Sequence, residues 1–292
     1  MQIIIVTGLS GSGKSIVLRA LEDSSYYSID NLPATLLPQI SQHLNATNHS
    51  KVAISIDSRS AALETLPKAI EGLRSAGNEV QVWFLEAAVE TLVKRFSETR
   101  RKHPLSNEST TLAESIANER ELLAGVAEHG HHIDTSNLSA NALRNHIRDL
   151  LTHGSHAHDA HGGGLVLLFT SFGFKNGIPL DADFIFDIRS LPNPHYDAIL
   201  RPLTGKDAAV QDFLSKQPAA VEMLADIQHY VEKWLPSFNK DNRSYLTVAI
   251  GCTGGQHRSV YFVEQLSQYF KQHKQKVIIR HRELNEAFAL NQ

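Results

Sequence analysis

Gly8-Leu9-Ser10-Gly11-Ser12-Gly13-Lys14-Ser15 satisfies the spacing G-x-x-x-x-G-K-[ST] and follows the apolar run Ile3-Ile4-Ile5-Val6. A buried strand, a glycine-containing turn and the helical pattern Ile16, Val17, Leu18, Leu21 in succession predict a phosphate-binding P-loop. The glycines let successive N–H groups point into one concavity at the start of the helix beginning near Lys14, where the helix dipole also favours an anion. A nucleoside triphosphate fits such a site. Lys14 then reaches the β- and γ-phosphates, and the Ser15 hydroxyl ligates Mg²⁺.

Outward from this loop, the first half alternates strand and helix signals. Strands are expected at 2–7, 51–57 and 80–85, with helices near 14–22, 60–76, 88–101, 111–125 and 139–152. That alternation implies an α/β fold whose parallel sheet is covered on both faces. Asp57 closes the 51–57 strand, the usual place for a carboxylate that holds Mg²⁺ through water, and Arg59 is in reach of phosphate or base. An Asp there also serves as a helix N-cap, so both roles stay open. Asp30, before Asn31-Leu32-Pro33, either meets a second substrate or the metal, or forms an Asx-turn. Arg100-Arg101-Lys102-His103-Pro104 is read as the cationic lid of a small-molecule kinase, or as a solvated helix end.

Composition bounds the remaining possibilities. The 292 residues suffice for two domains, and 42% hydrophobic with 20% charged residues describes a globular chain. No apolar run approaches the roughly 20 residues of a membrane span, and Met1-Gln2 leads directly into the first strand, so a cytoplasmic protein without a membrane partner is expected. A single cysteine, Cys252, agrees with a reducing compartment. The net charge of −3 argues against non-specific coating of nucleic acid. Residues 153–164 carry four histidines and end in three glycines with almost no apolar residue, which predicts a flexible linker in preference to a metal site. Domains 1–152 and 165–292 follow from it.

The second half offers strands at 165–170, 183–189 and 246–250, and a rigid loop at Leu191-Pro192-Asn193-Pro194-His195. After the last strand come Gly251-Cys252-Thr253-Gly254-Gly255-Gln256-His257-Arg258-Ser259 and a helix over 260–271. Strand, glycine-containing loop and helix start again suit an anion, here with Thr253, His257 and Arg258 as side-chain donors. Cys252 and Arg258 are also spaced as C-x5-R-[ST], the pattern of cysteine-dependent phosphatases.

The chain resembles the RapZ/YvcJ family of P-loop nucleotide-binding proteins. The matching stretches are Gly8 to Ser15, Asp30-Asn31-Leu32-Pro33, Asp57-Ser58-Arg59-Ser60, Arg100 to Ser106, Ser171 to Pro179, Asp187 to His195, Arg201-Pro202-Leu203-Thr204-Gly205, Gly251 to Val260 and Arg280-His281-Arg282. The resemblance implies a kinase-like N-terminal domain that binds and hydrolyses ATP and GTP, with Gly8 to Ser15 as the ATP site and Asp57 to Ser60 as the GTP segment. It also implies a C-terminal domain shaped like part of a phosphofructokinase, which in that family binds glucosamine-6-phosphate and small RNA and presents the RNA to an endoribonuclease. Thr253, Gly254, Gly255, His257 and Arg258 then form the sugar-phosphate site, with Arg189, Asn193 and His195 beside it. A homo-oligomer is expected on the same grounds.

Family members from enterobacteria carry a basic RNA-binding tail, whereas here Arg282 is followed by Glu283-Leu284-Asn285-Glu286. The RNA-binding candidates that remain are Lys271, Lys274, Lys276, Arg280 and Arg282, with no carboxylate between 271 and 282. They form either a phosphate-binding patch or an ordinary solvated face. Three functions stay open: a regulatory ATPase/GTPase that senses a sugar phosphate and adapts RNA to an RNase, a small-molecule P-loop kinase, and a phosphatase using Cys252.

Overall fold

In a computed structural model of the chain, residues 1–46, 49–60, 62–107, 109–154, 165–240 and 244–284 are described. They pack as two compact units, Met1–Asp149 and Leu150–Gln292. The first break falls slightly earlier than the expected 152. Of the expected linker, residues 155–164 lie outside the described residues, and His153 and Gly154 end a helix.

The first unit is built around β1 (Gln2–Gly8), apolar toward both sides and buried at every residue after Gln2. Such a strand must be covered on both faces. It lies in the middle of a five-stranded sheet with β2 (Tyr27–Ile29), β3 (Lys51–Ser55), β4 (Glu79–Glu86) and β5 (His131–Asp134), in the order β2-β3-β1-β4-β5 and parallel at every pairing. The connecting helices are α1 (Lys14–Glu22), α2 (Leu37–Ala46), α3 (Leu66–Ser75), α4 (Val89–Thr99), α5 (Leu112–Ala127) and α6 (Ala140–Gly154). Ile5, Val52, Ile54, Val82 and Phe84 from the sheet meet Leu66, Ile70, Ile116 and Leu123 from the helices in one core.

Strands β2 and β5 and helix α2 were not among the expected elements, and two boundaries beside Asp57 differ from expectation. Strand β3 stops at Ser55, so Asp57 stands in the loop beyond it. The helix expected from residue 60 begins only at Leu66, after a 3-10 turn at Leu63–Thr65, because Ser60 N–H bonds the Asp57 carbonyl and Ala62 turns into the left-handed region at φ 60°. Helix α5, by contrast, starts where expected: Thr111 and Glu114 form a reciprocal capping box.

The second unit holds β6 (Val166–Gly173), β7 (Phe184–Asp187), β8 (Tyr245–Cys252) and β9 (Lys276–His281), all parallel in the order β7-β8-β6-β9. Helices α7 (Ala208–Ser215), α8 (Pro218–Lys240) and α9 (Arg258–Gln272) cover it. Strands β6 and β8 are buried along their whole length and run in register from Val166–Tyr245 to Gly173–Cys252. Their C-terminal ends therefore meet, and Gly173 is where they touch: a Cβ there would lie 2.8 Å from the Gly254 carbonyl carbon. Among the described residues no helix is long and apolar enough to cross a membrane.

Candidate phosphate-binding sites

The P-loop leaves β1 at Gly8 with φ 128°, and a Cβ at that position would fall 2.0 Å from the Leu85 carbonyl oxygen of β4. Gly13, at φ 106°, stands immediately before α1. Only glycine tolerates both requirements. Internal bonds run from Ser12 N–H to the Leu9 carbonyl and from Ile16 N–H to the Gly13 carbonyl. The N–H groups of Gly11, Gly13, Lys14 and Ser15 find no acceptor among the described residues. Four free donors at a helix start form an anion cradle. Lys14 Nζ folds back onto the carbonyls of Gly8 at 2.7 Å and Leu9 at 3.0 Å. Burial lowers its pKa, against the raising effect of the Glu119 and Asp57 charges.

Asp57 is nearly covered and already engaged. Its Oδ1 accepts Arg59 N–H at 2.9 Å, its Oδ2 accepts Arg59 Nε–H at 2.9 Å, and Asn31, with its amide nitrogen toward the carboxylate, donates to both oxygens at 3.1 Å. Ser15 is exposed, and Ser60 Oγ accepts the Ala34 N–H. A Ser hydroxyl and a carboxylate are the oxygen donors that Mg²⁺ takes, so Ser15 and Asp57 fit that ion by type.

Two residues without a signal in the sequence complete this site. Glu119 of α5 is fully buried and accepts Ser10 N–H at 2.8 Å, Ser10 Oγ–H at 2.7 Å, Ser58 Oγ–H at 2.5 Å and His103 Nε2–H at 3.0 Å. Arg95 of α4 donates to the Gly11 carbonyl at 3.0 Å and to the Thr135 carbonyl at 2.6 Å, strapping the loop from outside, and burial lowers its pKa. Arg100, Arg101 and Lys102, which directly precede His103, are exposed.

At the end of β8 the second unit repeats the arrangement of strand, loop and helix. The N–H groups of Thr253, Gly254, Gln256, His257, Arg258 and Ser259 have no acceptor among the described residues, while Gly255 N–H donates to Cys252 Sγ at 3.2 Å. The side chains behave differently from the expected anion donors. His257 Nε2 faces the carbonyls of Leu200 and Arg201, each at 3.2 Å, and burial lowers its pKa. Arg258, 3% exposed, donates from one terminal nitrogen to the carbonyls of Arg189 at 2.8 Å and Leu191 at 2.7 Å, and from the other to Thr253 Oγ1 at 3.2 Å. Both side chains therefore brace the 189–201 loop against the cradle, leaving the backbone N–H groups for a ligand.

The flanking candidates sit at the rim. Arg189 pairs with Asp187 at 2.7 Å and lies 4.0 Å over the Phe174 ring, Asn193 Oδ1 accepts the His195 N–H, and the His195 ring is 6.2 Å from that of His257. Glu283, which follows the basic run, is buried under the loop. It accepts the Gly173 N–H at 3.0 Å, burial raises its pKa, and a Cβ on Gly255 would lie 2.4 Å from its Oε2.

The basic run over 271–282 is not one exposed face. Lys271 and Lys274 are exposed and Lys276 is half-buried on β9, but Arg280 is buried against Asp181 at 3.3 Å and Arg282 is buried with a bond to the Gly177 carbonyl. With 8% and 7% of their surface exposed and their guanidinium groups turned to Asp181 and the Gly177 carbonyl, Arg280 and Arg282 offer an RNA backbone little that is accessible, in contrast to the lysines.

Comparison with known proteins covers both units. Residues 1–155 match the model of the RapZ-like N-terminal domain, and residues 165–285 that of the RapZ C-terminal domain. A "Nucleotide-binding protein" of Methylobacillus flagellatus is 61% identical over 284 residues, covering 97% of this chain and 99% of the relative. One of the same description from Chromobacterium violaceum is 55% identical over 285 residues, covering 97% and 99%. Among solved structures, a shikimate kinase from Acinetobacter baumannii in complex with shikimate aligns at 18% identity and TM-score 0.38, covering 53% of this chain and 94% of that one. With both of its units matched and more than half of its residues identical to those of full-length relatives, the chain belongs to the RapZ family.

Proposed function

We propose that this protein is a cytoplasmic regulatory nucleotide-binding protein that binds ATP and GTP with Mg²⁺ in a single pocket and hydrolyses them slowly. The observation that carries this reading is the set of unoccupied P-loop donors, Gly11, Gly13, Lys14 and Ser15 N–H, beside Lys14 Nζ. Those donors would hold the β- and γ-phosphates, and Ser15 and Asp57 would hold Mg²⁺, whose charge would offset that developing on the transferred phosphoryl group. Slow turnover follows from the engagement of Asp57 by Arg59 and Asn31, bonds that metal binding must exchange. Competition between ATP and GTP on the full chain, read by equilibrium binding, tests it. Mutual displacement at one stoichiometric site supports one pocket; independent saturation refutes it.

In the same reading the second unit senses a phosphorylated amino sugar, glucosamine-6-phosphate, with its phosphate on the N–H cradle of 253–259 and the protein working as a homo-oligomer. Small RNA held through Lys271, Lys274 and Lys276 and delivered to an endoribonuclease is the output. A kinase reading has one specific support. Asp30, on the loop after β2, is near enough for its charge to raise the pKa of both Lys14 and Arg59, which suits a group that orients an acceptor hydroxyl. Phosphoryl transfer from ATP to an added sugar or nucleoside acceptor distinguishes it from hydrolysis to phosphate.

A further inference from the structure

The Glu119 carboxylate joins three segments that are distant in sequence. A carboxylate offers about four lone-pair positions, and here Ser10 N–H, Ser10 Oγ–H, Ser58 Oγ–H and His103 Nε2–H fill them inside the fold. The His103 tautomer is set locally: Leu105 N–H donates to Nδ1 at 3.2 Å, so Nδ1 carries no proton and Nε2–H points to Glu119. Ser10 belongs to the P-loop, Ser58 follows Asp57, and His103 directly follows Arg100-Arg101-Lys102. A donor withdrawn from a buried carboxylate leaves charge unsatisfied, so the three segments are held as a unit.

The cationic run is placed by the same anchor. Arg100 ends α4 in the left-handed region at φ 51°, turning Arg100, Arg101 and Lys102 outward while His103 turns inward to full burial. The His103 ring packs 5.2 Å from Phe96, whose own ring would lie 3.2 Å from a Cβ on Gly11. Among the described residues the three cations form no salt bridge. Three adjacent, exposed positive charges are thus tethered through one histidine and Glu119 to Ser10 of the phosphate loop, and such a run repels itself unless it is solvated or meets an anion.

We propose that Glu119 and His103 are positioning residues that couple the P-loop to Arg100-Arg101-Lys102, and that this run reads the terminal phosphate of the bound nucleotide. The inference rests on the proposed nucleotide site. Loss of the three charges weakens binding of a triphosphate more than of a diphosphate. Loss of the His103 donor does the same without removing any cation, and the two losses do not add.

The test measures dissociation constants of the full chain for ADP and for a non-hydrolysable ATP analogue, both with Mg²⁺. The variants are Arg100→Ala/Arg101→Ala/Lys102→Ala, His103→Leu, His103→Gln and the combined triple and His103→Leu variant. The expected result is a preference for the triphosphate that falls about tenfold in the triple variant and in His103→Leu alike, falls no further in the combined variant, and returns in His103→Gln, whose amide N–H replaces Nε2–H. A preference unchanged in His103→Leu, or equal losses that multiply in the combined variant, overturns the coupling. Failure of the wild type to bind either nucleotide overturns the nucleotide site itself, whereas binding with unaltered preference in every variant overturns only this inference. Because Leu fills the imidazole's space without its donor, thermal unfolding of His103→Leu and His103→Gln separates packing from hydrogen bonding.

Discussion

Arg59 grips both oxygens of Asp57, with its backbone N–H on Oδ1 and its Nε–H on Oδ2, each at 2.9 Å. The arginine side chain is 57% exposed and the aspartate 10%, so the pair joins a solvated surface cation to a covered anion. An exposed partner is exchanged at small cost, about 1 kcal/mol or less, and Mg²⁺ is the stronger claimant. Asp57→Asn retains the shape but loses the attraction for metal. We expect its ATP hydrolysis to drop and to respond weakly to Mg²⁺ titration, with nucleotide binding in EDTA unchanged; full activity and full Mg²⁺ dependence would return Asp57 to a capping role.

Lys14→Ala should lower ATP and GTP turnover by roughly a hundredfold or more, the scale on which a single preorganised donor contributes to charge stabilisation. The fold should survive, because Nζ bonds only the Gly8 and Leu9 carbonyls of its own loop. Steady-state hydrolysis and thermal unfolding of the purified variant check both halves. Undiminished hydrolysis would take the P-loop out of the mechanism.

At the second cradle, glucosamine-6-phosphate should raise the unfolding temperature of the full chain, by mass action on a site that only the folded state has. Arg258→Lys should abolish that shift, since lysine lacks the fork whose one nitrogen holds the Arg189 and Leu191 carbonyls while the other holds Thr253 Oγ1. Cys252→Ser should retain it, because Cys252 Sγ lies under the loop between Gly255 N–H and Ser259 Oγ. A phosphatase assay on both proteins reports the remaining alternative. Turnover in the wild type that disappears in Cys252→Ser would assign the cysteine to catalysis.

How much of the fold and the site was legible in the sequence depended on how local the cause was. Strand β1 and helix α1 were readable because Ile3 to Val6 and the glycine spacing act within a dozen residues. Strand β5 was not, since His131-His132-Ile133-Asp134 is polar and is a strand only because it pairs with Trp83 to Glu86. Glu119 looked like any helical glutamate. Its role comes from a bond to Ser10, 109 positions away, that no periodicity reveals. Arg280 and Arg282 erred in the opposite direction: their charge suggested exposure, but Arg280 at the end of β9 and Arg282 just past it are buried against Asp181 and the Gly177 carbonyl.

Acid should destabilise the first unit through His131. Burial, with a smaller contribution from neighbouring His132, lowers its pKa from 6.5 to about 3. The unfolded chain therefore binds a proton between those values that the folded chain refuses, so stability is lost as pH falls from 6.5 toward 3, by at most about 1.4 kcal/mol per pH unit. His131→Gln cannot titrate. Denaturant midpoints from pH 7 to pH 4 should fall less steeply for the variant, and parallel slopes would show that His131 is not the group responsible.

Of the RNA-binding candidates in the 271–282 run, the lysines are the exposed or half-buried ones. Replacing Lys271, Lys274 and Lys276 together by Ala should weaken binding of single-stranded RNA and shallow its salt dependence by roughly 0.7 in log–log slope for each phosphate no longer neutralised. Nucleotide hydrolysis should stay the same, because these lysines lie outside the unit that holds the P-loop. Arg280→Ala provides the contrast. It removes a buried partner of Asp181 and should lower the unfolding temperature before it alters any salt slope. Titrations at several salt concentrations decide the matter: identical slopes for wild type and the lysine variant would place RNA elsewhere or nowhere, leaving a metabolite-responsive nucleotide-binding regulator without an adapter surface on this face.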